Sequence, residues 1–252
     1  MTGCPEGSGG RCGSLRPGGG ALALGTRGVY AKREEQNPTG SFKARGLSAA
    51  VSLLVEHGVR KAAIGSNGNA GSALAAYAAR AGVSAHVCLP EDCPGLIVDE
   101  CRRYGAQVCL VRGLIHDAGR LIDEGREVEG WFNVGTLREP GRVEGKKTMG
   151  LSGGTAVAVS REEIESAQAR FGSLGLSSSP EGAATLAGLL RLREDAWIRP
   201  GDEVVLFNTA GATKYRPWTS PERIPVVTDY SDYRDRVARR RGPEQHTPAM
   251  PA

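Results

Sequence analysis

Apolar positions along the chain switch between two periods. Gly28-Val29-Tyr30-Ala31 is a short apolar run, which predicts a strand leading into the charged stretch Lys32–Glu35. The stretch Asn37–Gly46 then opens a helix to about His57, because Leu47, Val51, Leu54 and Val55 recur at helical spacing; Gly58 is its stop. Ala62-Ala63-Ile64 predicts a buried strand that ends at Gly65-Ser66, followed by an alanine-rich helix from about Ser72 to Ala81. The same alternation continues with a strand at Ala85–Leu89, a turn at Pro90–Pro94, a helix over Gly95–Tyr104, a strand at Ala106–Val111 and a helix over Leu114–Glu127. Trp131-Phe132-Asn133 is a further short strand candidate. Later, Thr155–Val159 predicts a strand, and Ser160 with Glu163 forms a capping box that starts a helix to about Phe171. A helix from Pro180 to about Glu194 and a strand over Glu203–Phe207, closed by Asn208–Gly211, complete the pattern. Strand and helix alternating at this spacing define an α/β fold, with parallel-sheet layers and flanking helices. Such sheets bind ligands at the carboxyl ends of their strands, and Ser66–Gly71 lies at such an end.

Composition adds boundaries. Residues 1–27 are rich in Gly, Ser and Pro and are expected to be a flexible leader, and residues 217–252, poor in apolar side chains, a disordered tail. The enzyme-like domain is therefore expected over 28–216. The 252 residues carry a net charge of +4, too mild to imply nucleic acid as a partner. No apolar run of about 18 residues predicts a membrane span. Six cysteines without a signal peptide imply reduced thiols and a cytoplasmic setting.

Three loops carry candidate chemistry. Lys43 stands between an aromatic and a small residue, just after the proline turn Asn37-Pro38-Thr39-Gly40. A partly desolvated lysine loses its proton more readily, and the free amine forms a Schiff base with an aldehyde. The second loop, Ser66–Gly71, offers the amide of Asn69 to a ring oxygen and the backbone N–H groups of the next helix to an anion. The third, Asn208–Gly211, offers the Thr209 hydroxyl to a ring nitrogen. An aldehyde cofactor with a ring oxygen, a ring nitrogen and a phosphate would use all of these, and pyridoxal phosphate is that cofactor.

The segments NPTGSFKARG, SNGNAG with ALAAYAARAG, LPEDCP, GWFNVGTLREPGRVEGKKTMGL, SSSPEGAATL and FNTAGATKY occur in this order over roughly residues 28–216. Together they resemble threonine synthase, a family of pyridoxal-phosphate enzymes with the tryptophan synthase β-subunit-like fold. The resemblance implies Lys43 as the Schiff-base lysine and Phe42 as its ring-packing neighbour. It implies Asn69 as the contact to the pyridine 3′-oxygen and Thr209 as the hydroxyl facing the pyridine nitrogen. It implies Ser66, Gly68 and Ala70 as the loop that binds the substrate carboxylate. Lys146 and Lys147 of the EGKKT segment are candidates for the substrate phosphate or for a structural role. The implied reaction converts O-phospho-L-homoserine and water to L-threonine and phosphate. Cysteate synthase and threonine dehydratase share much of this framework and stay open as alternatives. The implied partner is a small amino-acid substrate, with neither nucleic acid nor membrane, and a homodimer stays open.

The sequence also departs from that pattern. After Lys146-Lys147-Thr148-Met149-Gly150, the family continues through a helix and a strand to a glycine-rich loop that grips the cofactor phosphate. Here Leu151 passes directly to SGGTAVAVSREE, which resembles a much later part of the family. The fold is therefore expected in truncated form, with a segment missing near 151/152. A catalytically impaired protein that holds the cofactor weakly is a further reading. Ala210, where the family prefers glycine, adds a methyl group near the expected ring position.

Overall fold

The computed structural model describes residues 12–14, 28–136, 138–144 and 155–215. Its larger sheet is wholly parallel, with β3 (Lys61–Gly65), β4 (Ser84–Pro90), β5 (Gln107–Val111) and β6 (Phe132–Asn133) in the order β5-β4-β3-β6. The crossovers are α2 (Asn69–Ala81), α3 (Gly95–Arg103) and α4 (Ile115–Glu129). Because side chains alternate across a strand, β3 sends Ala62 and Ile64 to one face and Ala63 to the other. Val87 and Leu89 join the first face, where α1 (Lys43–Glu56), α2 and α3 pack through Leu47, Leu74, Ile97 and Cys101. Ala63 and Cys88 meet Ala118 and Ile122 of α4 on the second face. Gly65 makes that second contact close: a Cβ there would lie 2.7 Å from the Gly119 nitrogen.

The smaller sheet joins the two ends of the described chain. β2 (Gly28–Arg33) pairs in parallel with β7 (Glu203–Asn208), in register from Gly28↔Glu203 to Arg33↔Asn208. On its other edge β2 pairs antiparallel with β1 (Cys12–Ser14), which falls inside the expected flexible leader. Helices α6 (Arg161–Ser173) and α7 (Pro180–Glu194) cover this sheet, and Phe171, Leu186 and Leu189 pack on Val29, Ala31 and Leu206. Among the described residues, β7 has a ladder partner on one side only, and Val205 is 58% exposed. A short helix, α5 (Gly141–Glu144), leans on α1.

The predicted elements largely appear, with two differences. Thr155–Val159 is not a strand: among the described residues it joins no ladder, while β2 and β7 pair directly with each other. Its alternation reflects packing on helices, since Val157 rests over Gly188 of α7 and Val159 touches the core beneath α6 and α7. Helix α2 starts at Asn69, three residues earlier than the apolar period implies, because Gly68 takes φ 147 and turns the chain there. The rest of the leader, Lys146 and Lys147, Ser152-Gly153-Gly154 and the 217–252 tail lie outside the described residues.

Phe171 is fully buried at the end of α6. Phe171→Ala is expected to lower unfolding free energy by about 3–5 kcal/mol. Urea titration followed by circular dichroism measures this, and a loss under 1 kcal/mol would mean that the small sheet is not packed as described.

Candidate active site

The lysine loop is fixed from beneath by a buried carboxylate. Glu34, with no exposed surface, accepts from Arg45 Nε at 2.6 Å and Nη2 at 2.9 Å, and from Asn37 Nδ2 at 2.5 Å. A two-pronged guanidinium contact of this kind fixes orientation as well as distance. It ties the turn before Pro38 to the first turn of α1, so the intervening loop has little freedom. Within that loop Thr39 holds φ 65 and Gly40 φ 62, both left-handed. For a β-branched threonine this conformation is strained, and such strain persists where surrounding structure imposes it. The Thr39 and Ser41 hydroxyls are buried with no hydrogen-bond partner among the described residues.

Lys43 begins α1, its Nζ 4.3 Å from the centroid of the Phe42 ring. Phe42 in turn meets Phe207 of β7 edge-on, with centroids 6.2 Å apart. The Phe42 N–H donates to the Thr209 carbonyl at 3.0 Å, and the Gly211 N–H to the Gly40 carbonyl at 3.3 Å. Between these two bonds, Ser41 and Ala210 form an antiparallel bridge. The lysine loop and the 208–211 loop are thus joined backbone to backbone, although about 165 residues of sequence separate them. Thr209 also places its Oγ1 3.4 Å from Ser179 Oγ, and the Ser179 N–H donates to the Ala210 carbonyl at 2.8 Å. Ser179 caps α7 by accepting from the Gly182 N–H at 3.2 Å. Gly182 is packed so closely that any side chain would strike the Asn208 amide oxygen and the Ser178 hydroxyl.

The 66–71 loop reaches the same place through the residues after Thr209. Asn69 Nδ2 donates to the Tyr215 hydroxyl at 2.5 Å, which leaves its second amide hydrogen available. Asn69 Oδ1 is buried and has no partner among the described residues. Lys214, itself buried, pairs with Glu100 of α3 at 2.7 Å and donates to Ser72 Oγ at 3.2 Å. Burial pushes the Tyr215 phenol up to about 12, helped by the negative charge of Glu181 and by Cys93 and opposed by the Asn69 contact. Ser66 turns inward: its Oγ accepts from the Gly68 and Gly71 N–H groups, both at 3.1 Å, and shapes the loop. Gly68 and Ala70 are buried beside it, and the amides of Asn69 and Ala70 have no intrahelical acceptor.

The structure therefore brings Phe42, Lys43, Ser66, Gly68, Asn69, Ala70 and Thr209 into three loops tied to one another. Lys146 and Lys147 lie outside the described residues. The donor set fits the aldehyde and ring end of pyridoxal phosphate: an amine, an amide with a hydrogen to spare and an orphaned oxygen, and a hydroxyl at the strand end. The expectation of a missing phosphate-binding glycine loop falls just after Leu151, at residues outside those described.

Sequence reasoning missed the supports. Glu34 read as one of a run of charges, and its burial had no signal in the period. Lys214 and Tyr215 sat in the FNTAGATKY segment without an assigned task. Arg142 is also buried, its Nη1 donating to the Val134 carbonyl at 3.0 Å and its Nε without a partner among the described residues; burial pushes its pKa down. A separate cavity of about 660 Å³, lined by Gly65, His116, Arg120, Asp123, Asn133 and Arg138 among others, contains none of the residues of the three loops.

These three loops on a parallel α/β scaffold are the layout of a pyridoxal-phosphate enzyme domain with the tryptophan synthase β-like fold. The sequence profile described as "Pyridoxal-phosphate dependent enzyme" matches residues 19–152, more than half of the chain, and the chain belongs to that family. It is similar to the threonine synthase of Methanosarcina acetivorans, with 38% identity over 132 residues, 52% of this chain and 32% of the relative. It is similar as well to the threonine synthase of Methanocaldococcus jannaschii, with 37% identity over 127 residues, 50% of this chain and 31% of the relative. The chain spans about a third of the length of the curated relatives it matches. Among solved structures, a pyridoxal 5′-phosphate-dependent aspartate racemase superposes with a TM-score of 0.67 at 18% identity, over 79% of this chain and 89% of that one. The processed form of threonine deaminase isoform 2 from Solanum lycopersicum superposes with a TM-score of 0.64 at 18% identity, over 75% and 76%. These superpositions concern the fold. No described helix is long and apolar enough to cross a membrane.

Removing one partner of a buried pair strands the other charge. Glu34→Ala is expected to cost about 3–5 kcal/mol in urea unfolding, with the Glu34→Ala/Arg45→Ala double variant losing less than the sum of the singles. Strict additivity would show that the two side chains do not act together.

Proposed function

We propose that the chain acts as a threonine synthase-type enzyme, using pyridoxal phosphate to convert O-phospho-L-homoserine and water to L-threonine and phosphate. The observation that carries this reading is the similarity to threonine synthases, beside a pyridoxal-phosphate family match over residues 19–152 that includes Lys43 and Asn69, with Thr209 tied to the lysine loop. Bound here, pyridoxal phosphate supplies an aldehyde for amines and a ring that stores the electron pair released when a C–H bond breaks. Lys43 Nζ is the group that takes and returns protons at the substrate carbons, and the Phe42 ring beside it restricts where the amine can swing. The spare Asn69 amide hydrogen would hold the ring oxygen, and the Thr209 hydroxyl would hold the ring nitrogen. The open amides of Asn69 and Ala70 suit the substrate carboxylate. Because the loops are fixed to each other, the amine and the bound groups keep one relative orientation, which is where most of the rate advantage of such a site arises. This reading carries with it a cytoplasmic setting and a small amino-acid substrate.

One observation favours a second reading, a descendant that holds the cofactor weakly: Leu151 runs directly into SGGTAVAV, without the family's phosphate loop. Fewer charge-assisted hydrogen bonds would then hold the phosphate.

The two readings separate in one experiment. Purified protein incubated with pyridoxal phosphate is expected to show a visible absorption band that Lys43→Ala lacks. Supplying O-phospho-L-homoserine is then expected to release phosphate and threonine together, with Lys43→Ala slower by roughly 100- to 10,000-fold. A lysine-dependent band without phosphate release would support the second reading. Equal spectra for both proteins would overturn the enzyme reading and leave a degenerate pyridoxal-phosphate fold.

A further inference from the structure

Two cysteines outside the proposed active site face each other across the larger sheet. Cys88 on β4 is the register partner of Cys109 on β5. Register partners on neighbouring parallel strands project from the same face, so the two thiols stand side by side. Cys88 is 3% exposed and packs with Ala63, Ala118 and Ile122 beneath α4, whereas Cys109 is exposed on the edge strand. The other thiols in this region, Cys93 and Cys101, belong to the opposite face, with α2 and α3.

We propose that Cys88 and Cys109 form a redox-active dithiol, a modification site at which a peroxide-class oxidant joins the two sulfurs in a disulfide. The pair divides its labour by position. Cys109 is open to solvent and meets the oxidant; Cys88 is shielded and meets only Cys109. Their chemistry agrees with this division. The neighbouring Cys88 thiol holds Cys109 down, to about 7, against a smaller opposing effect of its partial burial. The same contact, together with burial, pushes Cys88 up. Cys93 and Cys101 are raised by burial, to about 11 and about 12, and are poor nucleophiles at neutral pH.

The Cys109 thiolate attacks one peroxide oxygen, the O–O bond breaks and hydroxide leaves, giving a sulfenic acid. The Cys88 sulfur then attacks the Cys109 sulfur, the S–O bond breaks, and the departing hydroxide takes the Cys88 proton as water. The first hydroxide takes up the proton that Cys109 had released. In sum, two thiols lose two electrons and the peroxide is reduced to two waters. Neighbouring strands lie about 4.8 Å apart, a little more than the Cβ separation a disulfide prefers, so closure draws the edge strand β5 toward β4. The Cys88 carbonyl accepts the Ser66 N–H at 3.0 Å, so this movement bears directly on the 66–71 loop. The proposal itself is independent of the reaction assigned to that loop.

The test treats the full-length protein with hydrogen peroxide and maps its thiols by differential alkylation and peptide mass spectrometry. The expected result is a Cys88–Cys109 disulfide that dithiothreitol reopens, is lost in Cys88→Ala and is retained in Cys93→Ala. In parallel, alkylation of Cys109 by iodoacetamide is expected to rise with pH through a midpoint near 7. In Cys88→Ala that midpoint moves up to the ordinary thiol range, and the rate at pH 7 falls roughly tenfold. Recovery of Cys109 as a sulfinic acid with Cys88 still a thiol would overturn the proposal. So would a bridge from Cys109 to Cys93 or Cys101, or an unchanged alkylation profile in Cys88→Ala. The wild-type map is decisive without any variant, and the alanine adds no bulk beside Ala63 and Ala118.

Discussion

A single buried carboxylate holds the functional half of this molecule in shape. Glu34 sits at the end of β2 with Arg45 and Asn37 closed around it. A charge with no access to water is tolerable only when its lone pairs are met, and here both oxygens are. The consequence is geometric. The segment from Glu34 to Arg45 becomes a closed loop whose middle is pushed into the left-handed conformation at Thr39 and Gly40, and Lys43 emerges from it with its direction set.

That loop reaches the strand-end loop through backbone hydrogen bonds, beside the ring contact of Phe42 with Phe207. Phe42 and Gly40 bond to Thr209 and Gly211, and Ser179 bonds to Ala210. Backbone pairing holds the loop that carries the lysine against the loop that carries the strand-end hydroxyl. Lys214 and Tyr215 extend the tie to α2 and α3, through Ser72, Glu100 and Asn69. Residues 208–215 thus join the two sheets, alongside the Glu34–Arg45 tie that carries β2 into α1.

The larger sheet shows a second consequence of parallel pairing. Facing residues share a face, so chemistry can be built from one side chain on each of two adjacent strands, as with Cys88 and Cys109. The edge position of β5 makes one member accessible while α4 shields the other. Access and shielding there follow from strand order, not from the residues themselves.

The sequence by itself determined the alternation of elements, because period 2 and period 3.6 patterns are local and strong over 28–133. It also determined the three loops, since glycine, asparagine and proline mark turns whose conformations few other residues accept. Lys43, Asn69 and Thr209 were legible for that reason. The tertiary structure decided what the pattern could not carry. Thr155–Val159 alternates like a strand, yet a strand exists only with a partner, and β2 and β7 pair with each other instead. Glu34, Arg142 and Lys214 look like surface charges in sequence, because burial is a property of what packs over a residue and not of the residue. The inward turn of Ser66, the tie between Tyr215 and Asn69 and the meeting of Cys88 with Cys109 join positions distant in sequence or depend on register, and register is fixed only when the strands pair.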